Sequence, residues 1–301
     1  MSMIPMDQRN GVLWLDGELV PWRDARIHVL THGLHYASSV FEGERAYDGR
    51  VFRLEEHGRR LLLSCAILDL DCPYGADELD QAVREVIATN GIEDGYVRRI
   101  AWRGAEQLGV AARDTRIHVA IAAWPWPHYF GSEARERGLR LAFADWRRPD
   151  PATAPTRAKA SCLYAIGTLA KHAAERAGYD DALMLDWRGR IAEATGANVF
   201  FARNGVLHTP TPVGFLDGIT RQAVIALAHA RNLAVLERSI LPDELRTFSA
   251  CFLTGPAAEV MPVRAIGPFS FSPGAITHAL MDDFAQLVRA DPAAAKEKVA
   301  A

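Results

Sequence analysis

Apolar residues recur along this chain with two different spacings, one of two residues and one of about three and a half. In "GVLWLDGELVPW" and "RAYDGRVFRL" short apolar runs are split by Asp-Gly, which supplies the positive φ of a tight turn and predicts two hairpins. "LEEHGRRLLLSCAILDL" then places Leu54, Leu61, Leu62, Cys65 and Leu68 on a helical period. "DELDQAVREVIATNG" predicts a second helix, with Asp77 as N-cap and Gly91 just past its end. "GYVRRIAWRG" and "RIHVAIAAW" read as two further strands.

Periodicity fails in "PWPHYFGSEARERG" and again in "RRPDPATAPT", where prolines and glycines accumulate. The first break is the expected boundary between a smaller N-terminal domain, residues 1–130, and a larger C-terminal one, residues 131–301. Beyond it, Leu163, Ile166, Leu169, Ala170 and Ala173 predict the apolar face of a helix over 161–177, stopped at Gly178. Strand-like "DALMLD", "RIAEATGANVFF" and "GVLHTP" follow. A helix in "FLDGITRQAVIALAHA" carries Ala223, Val224, Leu227 and Ala228 on one face. The last helix is expected in "SPGAITHALMDDFAQLVRA", with Ser272 as N-cap and Pro273 at the first helical position. The tail "DPAAAKEKVAA" reads as frayed. Strands and helices mix without regular alternation, so the fold class expected is α+β.

Composition narrows the function classes. With 301 residues, 49% apolar and 24% charged, the chain has enough material for two packed domains. A formal net charge of -3, with both signs spread along the sequence, gives no basic stripe for nucleic acid. No apolar run approaches the ~20 residues that span a bilayer, and no leader pattern opens the chain. Cys65, Cys72, Cys162 and Cys251 form no C-x-x-C pair, so neither a disulfide framework nor a zinc site is indicated and a cytoplasmic protein is expected.

Three places could carry chemistry. Lys159 stands between two alanines in "TAPTRAKASCLYA", where small neighbours leave room beside the amine. A lysine in such a place can serve as a nucleophile towards a carbonyl, although a solvated lysine near a helix start is the ordinary alternative. Gly218 precedes a helix whose first N–H groups, those of Ile219 and Thr220, would converge on an anion; an ordinary capped helix is the alternative there. Gly255 in "TGPAAE" opens a second glycine turn of the same kind. Glu193, on a short strand among alanines, is either turned to solvent or buried, and if buried it needs a partner.

Taken in order, "HGLHYASSVFEGERAYDG", "EEHGRRL", "GYVRR", "APTRAKASCLY", "IAEATGANVF", "LDGITR" and "TGPAAEVMPV" resemble branched-chain amino acid aminotransferases of the class IV pyridoxal-phosphate family, from about Trp14 to Val263. The resemblance implies a two-domain class IV fold with its active site at the domain interface and pyridoxal 5'-phosphate as cofactor. It implies that Lys159 holds the cofactor, that Tyr164 hydrogen-bonds the ring hydroxyl oxygen and that Glu193 pairs with the pyridine nitrogen. Arg60 would bind the phosphate together with the N–H groups of Ile219 and Thr220 after Gly218. Phe41, Tyr36, Tyr129 and Val110 would line the side-chain pocket, Tyr36 and Val110 reaching in from the second subunit of a homodimer. Tyr96 and Arg98 would serve the substrate carboxylates.

The same resemblance implies transfer of amino groups between leucine, isoleucine or valine and 2-oxoglutarate. Other reactions of the class, on D-amino acids, (R)-amines or aminodeoxychorismate, are the closest rivals. No G-x-G-x-x-G or P-loop pattern supports a nucleotide-binding protein. One departure stands out: Pro256 occupies a place where the family has threonine, and it lacks both a hydroxyl and an N–H, leaving the N–H groups of Ala257 and Ala258.

Overall fold

The computed structural model describes residues 4–126 and 132–290. They group into two units: residues 4–126 with the short segment Ala158–Cys162, and residues 132–157 with 163–290.

In the first unit, β1 (Val12–Leu15) and β2 (Glu18–Pro21) form a hairpin through Asp16 and Gly17, at φ 49° and 102°. After the short α1 (His32–Tyr36), β3 (Ser39–Tyr47) turns through Asp48 and Gly49 into β4 (Arg50–Val51). Both Asp-Gly signals thus mark real turns. Helices α2 (Leu54–Ile67) and α3 (Ala76–Thr89) come next, then the long strands β5 (Gly95–Arg103) and β6 (Ile117–Pro125). The six strands make an antiparallel sheet in the order β2-β1-β6-β5-β3-β4. The two helices pack on each other, α2 against β3 and α3 against β1 and β6. Gly75, not Asp77, is the N-cap of α3; Asp77 lies inside the first turn, where its carboxylate still meets the positive helix end. The buried side of α2 contains Leu61 and Cys65 as expected, but also His57 and Ser64.

The second unit contains α4 (Ser132–Arg137), β7 (Leu139–Phe143), α5 (Ala165–Arg176), β8 (Asp181–Leu185), β9 (Ile191–Ala194), β10 (Asn198–Arg203) and β11 (Val206–Pro210). It continues with α6 (Ile219–Ala230), β12 (Val235–Arg238), β13 (Ala250–Gly255), β14 (Glu259–Ile266), β15 (Phe269–Ser270) and α7 (Ala275–Arg289). Its strands run β12-β11-β10-β13-β14-β7-β8-β9, and β9 pairs back onto β10, closing a six-strand ring. Closure removes the edge at β9, leaving β12 as an edge strand, and lets alternate residues fill one interior. Leu139, Leu141, Leu183, Val199, Phe201, Leu253, Met261 and Val263 belong to that core. Helices α6 and α7 pack on β13 and β14.

Three expectations change here. "RIAEATGANVFF" is two strands, because residues 195–197 turn the chain so that Glu193 and Asn198 pair. The buried face of α5 is Gly167, Ala170 and Ala174 while Leu169 is 46% exposed, since a Cβ at Gly167 would already meet the Thr195 carbonyl oxygen at 3.1 Å. The last helix starts at Ala275 behind Gly274, so Ser272 is not its cap.

The segment carrying Lys159 belongs with the first unit rather than with the C-terminal part. Val40 and Ala160 form an antiparallel bridge, the Phe41 N–H donates to the Lys159 carbonyl at 3.1 Å, and Ser39 Oγ donates to Ser161 Oγ at 2.7 Å. A single cut at 130 therefore separates this lysine from the strand that holds it.

Candidate active site

The first unit presents an aromatic and cationic cluster at the start of β3. Lys159 is half-buried between fully buried Ala158 and Ala160, and its backbone N–H donates to Ser64 Oγ of α2 at 3.0 Å. With its backbone pinned on both sides, its Nζ lies 5.0 Å from the centre of the Phe41 ring. The Arg98 guanidinium stands 4.5 Å from the same ring centre, so one aromatic face system meets two cations.

Arg98 and Tyr96 alternate along β5, and Arg98 Nη2 donates to the Tyr96 hydroxyl at 3.4 Å. Tyr96 is held in turn by Trp124 and Trp126, with ring centres 5.2 and 4.5 Å away. Gly43 stands across the ladder from Arg98, diagonal to Tyr96, and the reason for a glycine is steric: a Cβ there would stand 2.0 Å from the Tyr96 hydroxyl oxygen. Among the described residues, the buried Arg98 Nε has no hydrogen-bond partner.

Arg60, on α2, is held by a carboxylate. Its Nε and Nη2 donate to the two oxygens of Glu42 at 2.7 Å each, and His57 Nδ1 lies 2.7 Å from Glu42 Oε2. Burial would push the Glu42 carboxyl up, but the Arg60 guanidinium and His57 outweigh it and hold the group well below the usual carboxylate range. Two residues on, Glu44 is equally buried and pairs with Arg99, which also donates to Asp80 at 2.7 Å. There burial prevails over Arg99, and the carboxyl is raised.

In the second unit, Glu193 sits on β9 directly across from Asn198. Arg148 Nε forms an ion pair with Glu193 Oε1 at 3.2 Å, and Asn198 Nδ2 is 3.5 Å from Oε2. Arg148 is anchored further by its bond to the Leu163 carbonyl at 3.1 Å. The partner demanded by a half-buried carboxylate is thus an arginine that the sequence reading did not single out. Asn198 also donates to the Leu216 carbonyl at 3.0 Å, which ties β10 to the loop before α6. Gly218 caps α6 with extended ψ of 138° and no side-chain cap bond; a Cβ there would stand 2.2 Å from Asn198 Oδ1.

Ile219 and Thr220 follow as buried first residues of that helix. Arg221 locks the turn from below, bonding Asp217, the Pro210 carbonyl and Glu237. Tyr164 is half-buried at the N-cap of α5. Gly255 ends β13, and Pro256, Ala257 and Ala258 form the turn into β14, with the buried Thr254 hydroxyl unpartnered among the described residues.

The predicted residues therefore fall into local groups: Lys159, Phe41, Tyr96 and Arg98 in the first unit; Glu193 and, through Asn198, Gly218–Thr220 in the second. Tyr36 and Val110 join neither. They are 47% and 86% exposed, on two segments linked by His32, whose ring stacks on Tyr36 at 4.4 Å and whose Nε2 is 2.8 Å from the Gly109 carbonyl. Tyr129 lies outside the described residues. Glu42, Arg148 and Asn198 were missed. Glu42 had a signal, since Val40, Glu42, Glu44 and Ala46 share one strand face whose ends are apolar.

Residues 39–266 match the amino-transferase class IV family, and the chain belongs to it. Within that class its likeness is to branched-chain enzymes. It is 40% identical over 265 residues to the branched-chain-amino-acid aminotransferase of Pseudomonas aeruginosa, covering 87% of this chain and 86% of that protein. The branched-chain aminotransferase of Thermoproteus uzoniensis, solved with norvaline, superimposes with a TM-score of 0.90 at 38% identity, over 97% of each chain. The branched-chain amino acid aminotransferase of Thermobaculum terrenum, solved in its PLP-form, gives 0.86 at 31% identity over 93% of this chain and 95% of the other.

Proposed function

We propose that this protein transfers amino groups between branched-chain L-amino acids and 2-oxoglutarate, with pyridoxal 5'-phosphate as its cofactor. The observation that carries the reading is the pinned Lys159, its amine against Phe41 beside Arg98, in a chain of the class IV family. The donor set fits the cofactor: an amine, a half-buried carboxylate already in an ion pair, an arginine fixed by a carboxylate, and a helix start without a side-chain cap.

When bound, the cofactor would supply an aldehyde and an electron-withdrawing ring. Lys159 Nζ would hold the cofactor at its aldehyde and, when the substrate's own amine occupies that carbon in its place, would be the group that moves the proton at the substrate Cα. Glu193, kept in place by Arg148 and Asn198, holds a proton on the pyridine nitrogen. Tyr164 binds the ring hydroxyl oxygen. Arg60 and the N–H groups of Ile219 and Thr220 bind the phosphate. Phe41 offers an apolar wall to an aliphatic side chain, while Tyr96 and Arg98 receive carboxylates. Gly255, Ala257 and Ala258 contribute backbone groups near the anions. Pro256, with neither hydroxyl nor N–H, leaves that turn one anion contact short.

The reading includes a homodimer acting in the cytoplasm. Tyr36 and Val110 are exposed, as are Ile27, Val29, Leu30, Leu34 and Leu108 on the same two chain segments, and this apolar content suits a second copy into whose site they reach. Tyr129 completes the side-chain pocket in this reading.

Two measurements test it. Borohydride treatment of the yellow holoenzyme should fix the label on the peptide containing Lys159; label elsewhere would overturn the assignment. A panel of L-leucine, D-alanine, a chiral amine and aminodeoxychorismate should show preference for L-leucine with 2-oxoglutarate as acceptor, and preference for any of the other three would replace the substrate class.

A further inference from the structure

We infer that Glu42, braced by His57, is a positioning residue that sets the Arg60 guanidinium for the cofactor phosphate; the inference rests on the reading of Arg60 as a phosphate ligand. A free arginine side chain samples many rotamers, and ordering it on binding costs up to ~2 kcal/mol. Here that ordering is already done. Both Glu42 oxygens are engaged by Arg60, along the edge made by Nε and Nη2, so the Nη1 donors and the second Nη2 donor point away from Glu42.

Two opposite effects on an anion are possible from such a carboxylate. Its negative charge weakens attraction for phosphate, whereas its bidentate grip removes the ordering cost and fixes direction. The geometry points to the second. Glu42 is fully buried on the strand face shared by Val40 and Ala46, so its own position is fixed, and His57 Nδ1 holds Oε2, the oxygen that Arg60 Nε does not bond. Keeping a charge in that place is costly unless its partners are held, and the neighbouring Glu44–Arg99–Asp80 group shows the same strand face holding a second arginine. The difference lies in the arginines: Arg99 is wholly buried, while the Arg60 side chain keeps 14% of its surface accessible. One closes a structural cluster, and the other stays partly within reach of a ligand.

The test compares binding of pyridoxal 5'-phosphate and of pyridoxal to apo-protein by tryptophan fluorescence, with inorganic phosphate as competitor. The readout is the dissociation constant of pyridoxal divided by that of pyridoxal 5'-phosphate, a ratio that isolates the phosphate's contribution from that of Lys159. In Glu42→Gln, whichever way the amide turns, its nitrogen faces one of the two guanidinium donors, so one bond to Arg60 is lost. The expected ratio falls about tenfold, equivalent to ~1.4 kcal/mol, with competition by phosphate weakened in parallel. Glu42→Asp, one methylene shorter but still charged, should fall in the same direction by less, and serves if the glutamine variant does not fold. Glu44→Gln, the same substitution of a buried carboxyl that pairs with Arg99 instead, should leave the ratio unchanged.

A rise of the ratio in Glu42→Gln would show that its charge, not its grip, governs the site and would overturn the inference. An equal fall in Glu44→Gln would assign the effect to the fold and overturn it as well. Arg60→Ala separates the two readings. If it leaves the ratio unchanged, Arg60 is not a phosphate ligand and both readings fall; if it lowers the ratio while both Glu42 variants match wild type, only the positioning role falls.

Discussion

Arg148 and Glu193 form an ion pair at 3.2 Å between side chains that are 6% and 12% exposed. The carboxylate proposed to hold the pyridine nitrogen thus comes with a guanidinium already on its other oxygen. Arg148→Met should leave that carboxylate without its counter-charge and lower unfolding free energy by about 3 kcal/mol in urea titration. Retention of wild-type stability would mean that Asn198 and water suffice to hold Glu193.

For Lys159 the expected outcome is a loss of turnover without loss of the anion site. Lys159→Ala should reduce steady-state transamination by about 10²- to 10⁴-fold, the range associated with a positioned proton carrier. Pyridoxal 5'-phosphate should still bind, through Arg60 and the start of α6. Near-normal turnover would remove the central assignment.

Arg98 should discriminate between the two partners of the reaction. Only the dicarboxylic substrate can offer it a side-chain carboxylate, and a charge-assisted bond is worth ~1.5–3 kcal/mol. Single-turnover rates of Arg98→Ala should therefore fall more with glutamate than with leucine. Equal losses would place Arg98 on the carboxylate common to both.

Gly43 tests whether Tyr96 matters where it stands. An added methyl 2.0 Å from the hydroxyl oxygen must displace the Tyr96 ring against Trp124 and Trp126. Gly43→Ala should cost about 1–3 kcal/mol in stability, as overpacking does, and raise KM for both substrates. A KM within twofold of wild type would show that the hydroxyl's position has no part in substrate binding.

The Glu42 pairing has a pH signature. A carboxyl whose folded-state affinity for protons is depressed adds stability above its unfolded value of about 4.5 and loses it as pH falls below that towards the folded value. Wild-type stability should decline on acidification through this window. In Glu42→Gln the decline should be shallower by up to one proton's worth, about 1.4 kcal/mol per pH unit, read from urea midpoints between about pH 5 and about pH 3. Parallel slopes would mean that Glu42 gains no such stabilisation in the folded state.

Much of this was legible along the chain, for reasons that differ by residue. The Asp-Gly turns announced the hairpins because only certain residues tolerate their backbone, and "GITR" announced α6 because a glycine before an apolar helix leaves the first N–H groups without an intrahelical acceptor. Lys159, Phe41 and Arg98 were named in advance, yet their meeting at one ring depends on the bridge between Val40 and Ala160, a pairing between distant parts of the chain that no local pattern encodes. Arg148 was invisible for the opposite reason. Next to Arg147, and in a proline-rich stretch, it looks like one more surface charge, and only the Glu193 contact shows otherwise.

The placement of Ala158–Cys162 in the first unit also bears on how the protein is made. During synthesis, β6 is finished at Pro125, but the strand piece that covers Val40 and Phe41 leaves the ribosome more than thirty residues later. The nascent N-terminal unit must wait with that side of β3 open, and contacts between distant residues form slowly because a long loop has to close first. The residue proposed to hold the cofactor is thus among the last to join the unit to which it belongs.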